Sequence, residues 1–332
     1  MYKGAVIAAV VPAYKEEKMI ARVIETMPDF VDHIVVVDDC SPDDTSGAAT
    51  AVGDPRLTLI RHEVNQGVGG AIITAHRAAM ELGSDVNVVM AGDAQMDPDH
   101  LPALLDQVTD EGFGFAKANR FYGPESFRGM PRYRVFGNIV LSFMTKLASG
   151  YWNLFDPQNG YTAVRTEVLR RVPLDRVAKR YSFENDLLIH LNILQVPATD
   201  VPIPAVYGDE VSSIRLRKVI PELLNRLTVG FWSRIWYRYV LWSFSPIALL
   251  LFLGIILFVF GLGVSIWMVF QIASSVVATA ATVMLAALPL MIGTQLLISS
   301  LQLDIQATPS HPTYRPFPRD AGPRDAGPRA RE

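Results

Sequence analysis

The sequence predicts an α/β domain with a mainly parallel, mixed sheet, followed by two membrane-spanning helices. Strand, loop and helix patterns repeat roughly every 25–30 residues through the amino-terminal part. The strand candidates are continuous apolar runs and not alternating ones, as expected where both faces of a sheet are covered. The 65 residues from Tyr239 through Leu303 contain no Asp, Glu, Lys or Arg. That length holds two spans of about 20 residues each with a connector.

In order, Ala5–Val11 (AVIAAVV) reads as a first buried strand closed by Pro12, not as a signal peptide, so the soluble part is expected in the cytoplasm. Tyr14, Glu16 and Glu17 follow in a loop, and Met19–Met27 has helical spacing with a stop at Pro28. His33–Val37 is a second strand ending in Asp38-Asp39, after which Ser41 or Asp43 caps a helix with Pro42 near its start. Leu57–Ile60 is a third strand, Asn65–Gly70 (NQGVGG) a flexible turn, and Ala71–Leu82 a helix. Val86–Met90 is a fourth strand, which runs into Asp93, Gln95 and Asp97.

Acidic clusters therefore stand at three equivalent strand ends, where ligands of such sheets bind. Oxygen ligands at the last of them suit a hard divalent cation holding a diphosphate; a solvated acidic turn is the plainer alternative. The glycines of NQGVGG match neither a dinucleotide fingerprint nor a Walker loop.

Leu101–Val108 is a helix and Phe115–Arg120 (FAKANR) a strand with a basic end. Tyr122–Arg134 carries Arg128, Arg132 and Arg134 among Gly and Pro. It reads as a loop that is either solvated or clamps an anion, and arginine forks suit phosphate oxygens. Phe136–Leu147 is an amphipathic helix, Asp156–Gly160 a turn, and Tyr161–Val164 an edge or mixed strand. Glu184 and Asp186 open a helix over Tyr181–Leu194, in the first turn that the helix dipole favours for acids. Thr199–Pro204 is a last short strand.

Ile220–Val240 mixes aromatic residues with Arg226, Arg234 and Arg238, the pattern of one or two amphipathic helices at a membrane interface. Spans are expected over Phe244–Trp267 and Val276–Leu297, with both flanks on the cytoplasmic side because both are basic. The tail from Pro309 is rich in Pro, Gly and Arg with an RDAGP repeat, and reads as disordered. A formal charge of −3 gives no basic character that points to nucleic acid. The single cysteine, Cys40, excludes an intramolecular disulfide and a multi-cysteine metal site.

Several motifs then occur together: VPAYKEE (Val11–Glu17), VVDDCSPDDT (Val36–Thr45), NQGVGGA (Asn65–Ala71), AGDAQMDP (Ala91–Pro98), KANRF (Lys117–Phe121), FDPQNGY (Phe155–Tyr161) and YSFENDLL (Tyr181–Leu188). In this order they resemble the GT-A, family 2 glycosyltransferases, specifically polyprenyl-phosphate glycosyltransferases of the dolichol-phosphate mannose synthase type and their bacterial two-span subgroup. The likeness runs from Val10 to about Leu303.

The resemblance implies a GT-A catalytic domain over 1–212, juxtamembrane amphipathic helices over 213–240, two transmembrane helices over 241–303 and a disordered cytoplasmic tail over 304–332. It implies that Pro12, Tyr14, Glu16 and Asp39 hold the nucleotide, and that Asp93 and Gln95 hold Mg²⁺ or Mn²⁺ against its diphosphate. Many relatives carry a further Asp where this chain has Ala91, so the cation must use Asp93, Gln95, the diphosphate and water, or recruit Asp97 or Asp39. Arg120, Arg128 and Arg132, with Arg215 or Lys218, become candidates for the lipid phosphate or the departing diphosphate, and Asp156 and Glu184 are further site candidates.

The implied reaction is inverting transfer of a monosaccharide to undecaprenyl or dolichyl phosphate, for cell-envelope glycan or protein glycosylation. UDP-glucose is the favoured donor and GDP-mannose the second. The implied setting is the inner (cytoplasmic) membrane, and two-span relatives are often homotetramers. Two alternatives are a processive polysaccharide synthase, whose QxxRW element is absent from the sequence, and a non-catalytic scaffold with a degenerate domain.

Overall fold

A computed structural model describes residues 1–122, 132–156, 158–204, 216–274 and 278–317, with the backbone alone at 132–134 and 216–220. Arg128 and Arg215 lie outside the described residues, and Arg132 and Lys218 are described only as helical backbone. The chain forms two compact units, one of Met1–Phe231 with Pro309–Glu332 and one of Trp232–Thr308.

The first unit is built on a seven-stranded sheet in the order β3-β2-β1-β4-β6-β5-β7. Its strands are β1 (Ile7–Ala13), β2 (His33–Asp38), β3 (Leu57–Arg61), β4 (Val86–Val89), β5 (Phe115–Asn119), β6 (Thr162–Arg165) and β7 (Ala198–Pro202). Pairs β1–β2, β1–β4, β2–β3 and β5–β7 are parallel, and β6 is antiparallel to both β4 and β5. The apolar runs of β1, β2 and β4 are buried because helices cover both faces.

Two expectations about this sheet change. The first strand does not stop at Pro12: Pro12 pairs in register with Val37, and its carbonyl accepts from Gly92 N just past the end of β4. Pro12 lies beyond the last β1–β4 pair, Val10 with Val89, where a missing N–H is tolerated. The short strand after the Asp156 turn, expected as an edge or mixed strand, is a mixed one: it lies not at an edge but in the middle of the sheet, with all four residues buried. Being antiparallel, it brings its amino end, and the loop before it, to the carboxyl ends of β4 and β5.

The helices are α1 (Ile20–Glu25), α2 (Thr45–Ala51), α3 (Val68–Glu81), α4 (Leu101–Thr109), α5 (Arg132–Ser149), α6 (Thr166–Leu169), α7 (Phe183–Ile193), α8 (Leu216–Arg234), α9 (Pro246–Ala273) and α10 (Ala280–Gln306). The first turn of α3 absorbs Gly69 and Gly70 from the expected flexible turn. A Cβ on Gly69 would lie 2.7 Å from Phe183 Cβ and 2.8 Å from Ala178 O, so this glycine permits a close approach of α3 to α7. Leu223 and Leu227 of α8 are buried in a cluster with Ile189 and Ile193 of α7. That face of the expected interfacial helix therefore covers the first unit.

The expectation of a structureless tail from Pro309 also changes, because residues 309–317 lie against this unit. Pro309 O accepts from Ala198 N at 3.1 Å, Gly112 O accepts from Thr313 N and Tyr314 N at 3.0 Å, and Phe317 N donates to Thr109 O at 3.1 Å. Arg165 stands over the Tyr314 ring at 5.1 Å and the Phe317 ring at 4.5 Å, and donates to Arg315 O.

In the second unit, α9 and α10 are each long and apolar enough to cross a membrane. They begin and end later than the sequence pattern suggested. Their backbones approach closely where a side chain would not fit: a Cβ on Gly261 would sit 2.6 Å from Leu290 N, and one on Gly293 2.6 Å from Phe258 N. Ile235–Leu241 forms a π-helical turn that carries Tyr239 to a buried ion pair. There Arg234 Nη1 meets Asp304 Oδ1 at 2.6 Å, and Tyr239 Oη donates to the same oxygen at 2.6 Å.

Candidate active site

The carboxyl ends of β1, β2, β4 and β5 supply one rim of functional groups. At the end of β2, Asp39 is buried and its carboxylate is fully engaged by protein donors. Oδ1 takes Gln66 N at 2.8 Å and pairs with His62 Nδ1 at 2.7 Å, while Oδ2 takes Gly67 N at 2.7 Å. His62 is held from its other side by Thr74 Oγ1 at 2.9 Å. Asp39 thus anchors the NQG turn, and what it offers a ligand is the backbone around it. His62 escaped the sequence reading; its only signal was a polar residue just past a strand end.

Tyr14 is exposed at the end of β1, and Pro12 and Glu16 flank the loop that follows β4. A Cβ on Gly92 would lie 3.2 Å from Pro12 O and 3.3 Å from Glu16 Cγ. Glycine at that point lets the Asp93 loop pass directly beside both. Asp93 Oδ1 caps the loop by accepting from Gln95 N at 3.0 Å, and Ala94 between them has φ +57°. Met96 folds back so that its sulfur accepts from Ala91 N at 3.2 Å.

Across a cleft of about 200 Å³ from Asp93 and Gln95 stand Arg120, Gln158 and Asn159. Arg120 follows β5, and Asp156 belongs to the loop that the antiparallel β6 delivers. Arg120 Nε donates to Asp156 Oδ2 at 2.7 Å, Nη2 to Oδ1 at 3.1 Å, and the Arg120 backbone N to Oδ2 at 3.2 Å. The carboxylate is buried and grips the guanidinium in a two-point fork, leaving that cation aimed at the cleft with its geometry fixed.

Lys117, three residues before Arg120 and within β5, is fully buried and donates to Asn159 O. Burial holds its ammonium down at about 8, against the pull of Asp156, Asp200 and Glu184. Glu184, at the start of α7, is half-buried beside Gly160, and desolvation pushes its carboxyl up. Lys117, Gln158 and Asn159 were not among the expected site residues, although a lysine inside an apolar strand is a readable sign of a buried partner. Asp186 turns away from the cleft and pairs with Arg226 of α8.

Oxygen donors suitable for a divalent cation are present in Asp93 and Gln95. Among the described residues no group of three or more His, Cys, Asp or Glu side chains could hold a metal ion. That sparse set fits Mg²⁺ or Mn²⁺, which bind through one or two protein ligands and complete their shells with phosphate oxygens and water.

The mixed sheet with this rim is a GT-A-like fold, the framework of enzymes that transfer sugars from nucleotide donors. Residues 8–172 match Glycosyl transferase family 2. The chain is 31% identical over 215 residues to the UDP-N-acetylglucosamine–dolichyl-phosphate N-acetylglucosaminyltransferase of Methanococcus voltae, covering 60% of this chain and 85% of the relative. It is 30% identical over 227 residues to the undecaprenyl-phosphate mannosyltransferase of Micrococcus luteus, covering 67% and 92%. Glucosyl-3-phosphoglycerate synthase from Mycobacterium tuberculosis shares the fold, with a TM-score of 0.53 and 23% identity over 70% of this chain and 80% of that one. The protein belongs to glycosyl transferase family 2 and is related to its polyprenyl-phosphate sugar transferases.

Proposed function

We propose that this protein is a membrane-bound inverting glycosyltransferase that moves one sugar from a nucleotide diphosphate donor to a polyprenyl monophosphate. The observation that carries the reading is the Asp156-forked Arg120 facing Asp93 and Gln95 across one cleft. One wall suits a metal-bound diphosphate and the other a second phosphate. The helices α9 and α10 supply a bilayer anchor, which a polyprenyl acceptor requires. The basic flanks of the apolar stretch support a catalytic unit on the cytoplasmic side of the inner membrane.

In this reading an acceptor phosphate oxygen forms a bond to the anomeric carbon from the face opposite the leaving group. The bond from that carbon to the diphosphate oxygen breaks, with inversion. The acceptor oxygen is already anionic near neutral pH, so no proton has to be removed. Asp156 is no base, because its oxygens are taken up by Arg120. Its work is to keep the guanidinium forked toward phosphate charge. Lys117 orients the Asn159 carbonyl from below. Asp93 and Gln95 would hold a divalent cation, which when bound would neutralise charge on the leaving diphosphate. The Gly67–Gly70 turn, anchored by Asp39, forms the nucleotide end together with Pro12, Tyr14 and Glu16. Arg128, Arg132, Arg215 and Lys218 complete the proposed anion-binding set around the lipid phosphate.

The donor is tested with purified protein, undecaprenyl and dolichyl phosphate, and a panel of UDP-glucose, UDP-N-acetylglucosamine and GDP-mannose, with Mn²⁺, Mg²⁺ or EDTA. UDP-glucose remains the first donor to test, and the archaeal relative's name adds UDP-N-acetylglucosamine. Mn²⁺ is the first cation, since it accompanies UDP-glucose in the mycobacterial synthase. Formation of a lipid-linked sugar that EDTA abolishes is the expected result. No product from any donor with either metal sinks the reading.

A further inference from the structure

A carboxylate that the transfer reaction does not use lies behind the Arg120–Asp156 pair. Asp200 sits on β7, with its Cα in register with Lys117 of β5. Its Oδ2 accepts from Phe155 N at 2.6 Å and from Asn119 Nδ2 at 3.1 Å. Phe155 immediately precedes Asp156, and Asn119 immediately precedes Arg120. One oxygen therefore pins the residue before each member of the pair. Asn119 is fixed in turn from the other side, its Oδ1 taking Phe121 N at 2.9 Å and its carbonyl taking Ile203 N at 3.1 Å. The rings of Phe121 and Phe155 then meet edge to face at 6.3 Å.

We infer that Asp200 is a positioning residue of the active site, acting through Asn119 and Phe155 to hold Arg120 and Asp156 in their productive fork. Packing alone does not explain a carboxylate here. Oδ1 is sealed from solvent and has no hydrogen-bond partner among the described residues. A site chosen for stability would carry a neutral acceptor and leave no oxygen orphaned. The charged form persists because it makes the two bonds at Oδ2 charge-assisted. The charged groups facing it are Lys117 on β5, Lys146 on α5 and Asp156 on the loop before β6. Desolvation is the largest influence, and it lifts the Asp200 carboxyl to about 6. The clamp is thus at full strength above neutrality and weakens as the pH falls through 6.

The rate part of the test rests on the transfer reading, whereas the exchange part does not. Wild type, Asp200→Asn and Asp200→Ala are compared as full-length protein in detergent. Hydrogen–deuterium exchange is read over Phe121 and Phe155–Asp156, with α3 as the reference for the fold. Asp200→Ala is expected to raise exchange in those two segments at least tenfold and to leave α3 unchanged. It should also lower kcat by about 10–100-fold, the scale expected when a reacting group is displaced by about an ångström. Asp200→Asn, whose amide oxygen can replace Oδ2, should recover most of both. It should also lose the wild-type fall in kcat between pH 7 and 5.

Wild-type exchange at Phe155 in Asp200→Ala overturns the assignment. So does an increase that spreads equally to α3, which makes Asp200 a residue of the fold alone. A kcat unchanged in Asp200→Ala, with an active wild type, overturns it as well. If wild type transfers no sugar, the transfer reading fails alone, and exchange at Phe155 still decides whether Asp200 is the clamp.

Discussion

Arg226 of α8 reaches Asp186 of α7, with Nη2 2.5 Å from Oδ2, and the same oxygen accepts from Ala178 N at 2.8 Å. The segment so held presses on the proposed donor end: Lys179 O accepts from Gly70 N at 2.9 Å, and a Cβ on Gly67 would lie 2.8 Å from that carbonyl. The helix that leads toward the apolar pair is thereby linked, through one buried carboxylate, to the glycine turn anchored by Asp39. Asp186→Asn is expected to lower stability by about 1–2 kcal/mol, less than for a fully buried pair because roughly a third of the Arg226 side chain meets water. It should also raise KM for the nucleotide sugar several-fold with little change in kcat. Thermal melting and steady-state kinetics in detergent read both effects. An unchanged KM would separate this pair from the donor turn.

The strap 309–317 fills a groove that the sequence leaves open for it. A Cβ on Gly114 would stand 2.7 Å from the Tyr314 ring, and one on Gly112 would stand 2.4 Å from Tyr314 O. Arg165 is a buried cation whose charge is answered by the Glu167 carboxylate at 3.1 Å, Val108 O at 2.7 Å, Arg315 O at 2.9 Å and the two strap rings. Tyr314→Ala removes a ring and one face of that cage, and is expected to cost about 1–3 kcal/mol. Truncation after Thr308 should cost more than the point variant. Melting of the full-length and truncated proteins compares them, and equal melting temperatures would show that the strap carries no stability.

The parallel half of the sheet was legible because β1, β2 and β4 are unbroken apolar runs whose polar ends announce the site. The strands of the other half were legible too, but their order was not, because the partners of β6 and β7 are set by distant segments. Arg120 and Asp156 could each be named from their motifs. Their bond across 36 positions depends on β6 lying antiparallel between β4 and β5, which no local pattern specifies. Asp200 was hidden for the same reason. The strap was misjudged because a Pro- and Arg-rich composition describes what a segment cannot do alone, and Gly112, Gly114 and Arg165 supply the missing partners. Asp304, the one acid beside the long uncharged stretch, found its counter-ion in Arg234, 70 residues earlier.

His76 on α3 is fully buried, and neither ring nitrogen has a hydrogen-bond partner among the described residues. Desolvation depresses its pKa from 6.5 to about 3. Between those two values the unfolded chain binds a proton that the folded chain does not. The stability contributed by neutral His76 is therefore complete above pH 6.5 and is lost as the pH falls toward 3. His76→Leu removes the titration along with the orphaned nitrogens. The melting-temperature difference between variant and wild type should thus grow in the variant's favour from pH 8 to pH 5. A difference that stays constant with pH would show that His76 takes up its proton without unfolding.

The proposed metal end offers the most direct gain-of-function test, because the family resemblance implies a carboxylate where this chain has Ala91. In the proposed site Asp93 and Gln95 hold the cation, and Asp93 Oδ1 already accepts from Gln95 N at 3.0 Å. Ala91→Asp adds a hard, charged ligand two residues before Asp93, and it is expected to tighten Mn²⁺ binding in the presence of UDP on the order of tenfold. Asp93→Asn should weaken it by at least as much and abolish sugar transfer, while the melting temperature stays near that of wild type. Free Mn²⁺ measured by electron paramagnetic resonance reads affinity without any dependence on turnover. If Ala91→Asp leaves Mn²⁺ affinity unchanged and Asp93→Asn does likewise, the cation is not held at the end of β4.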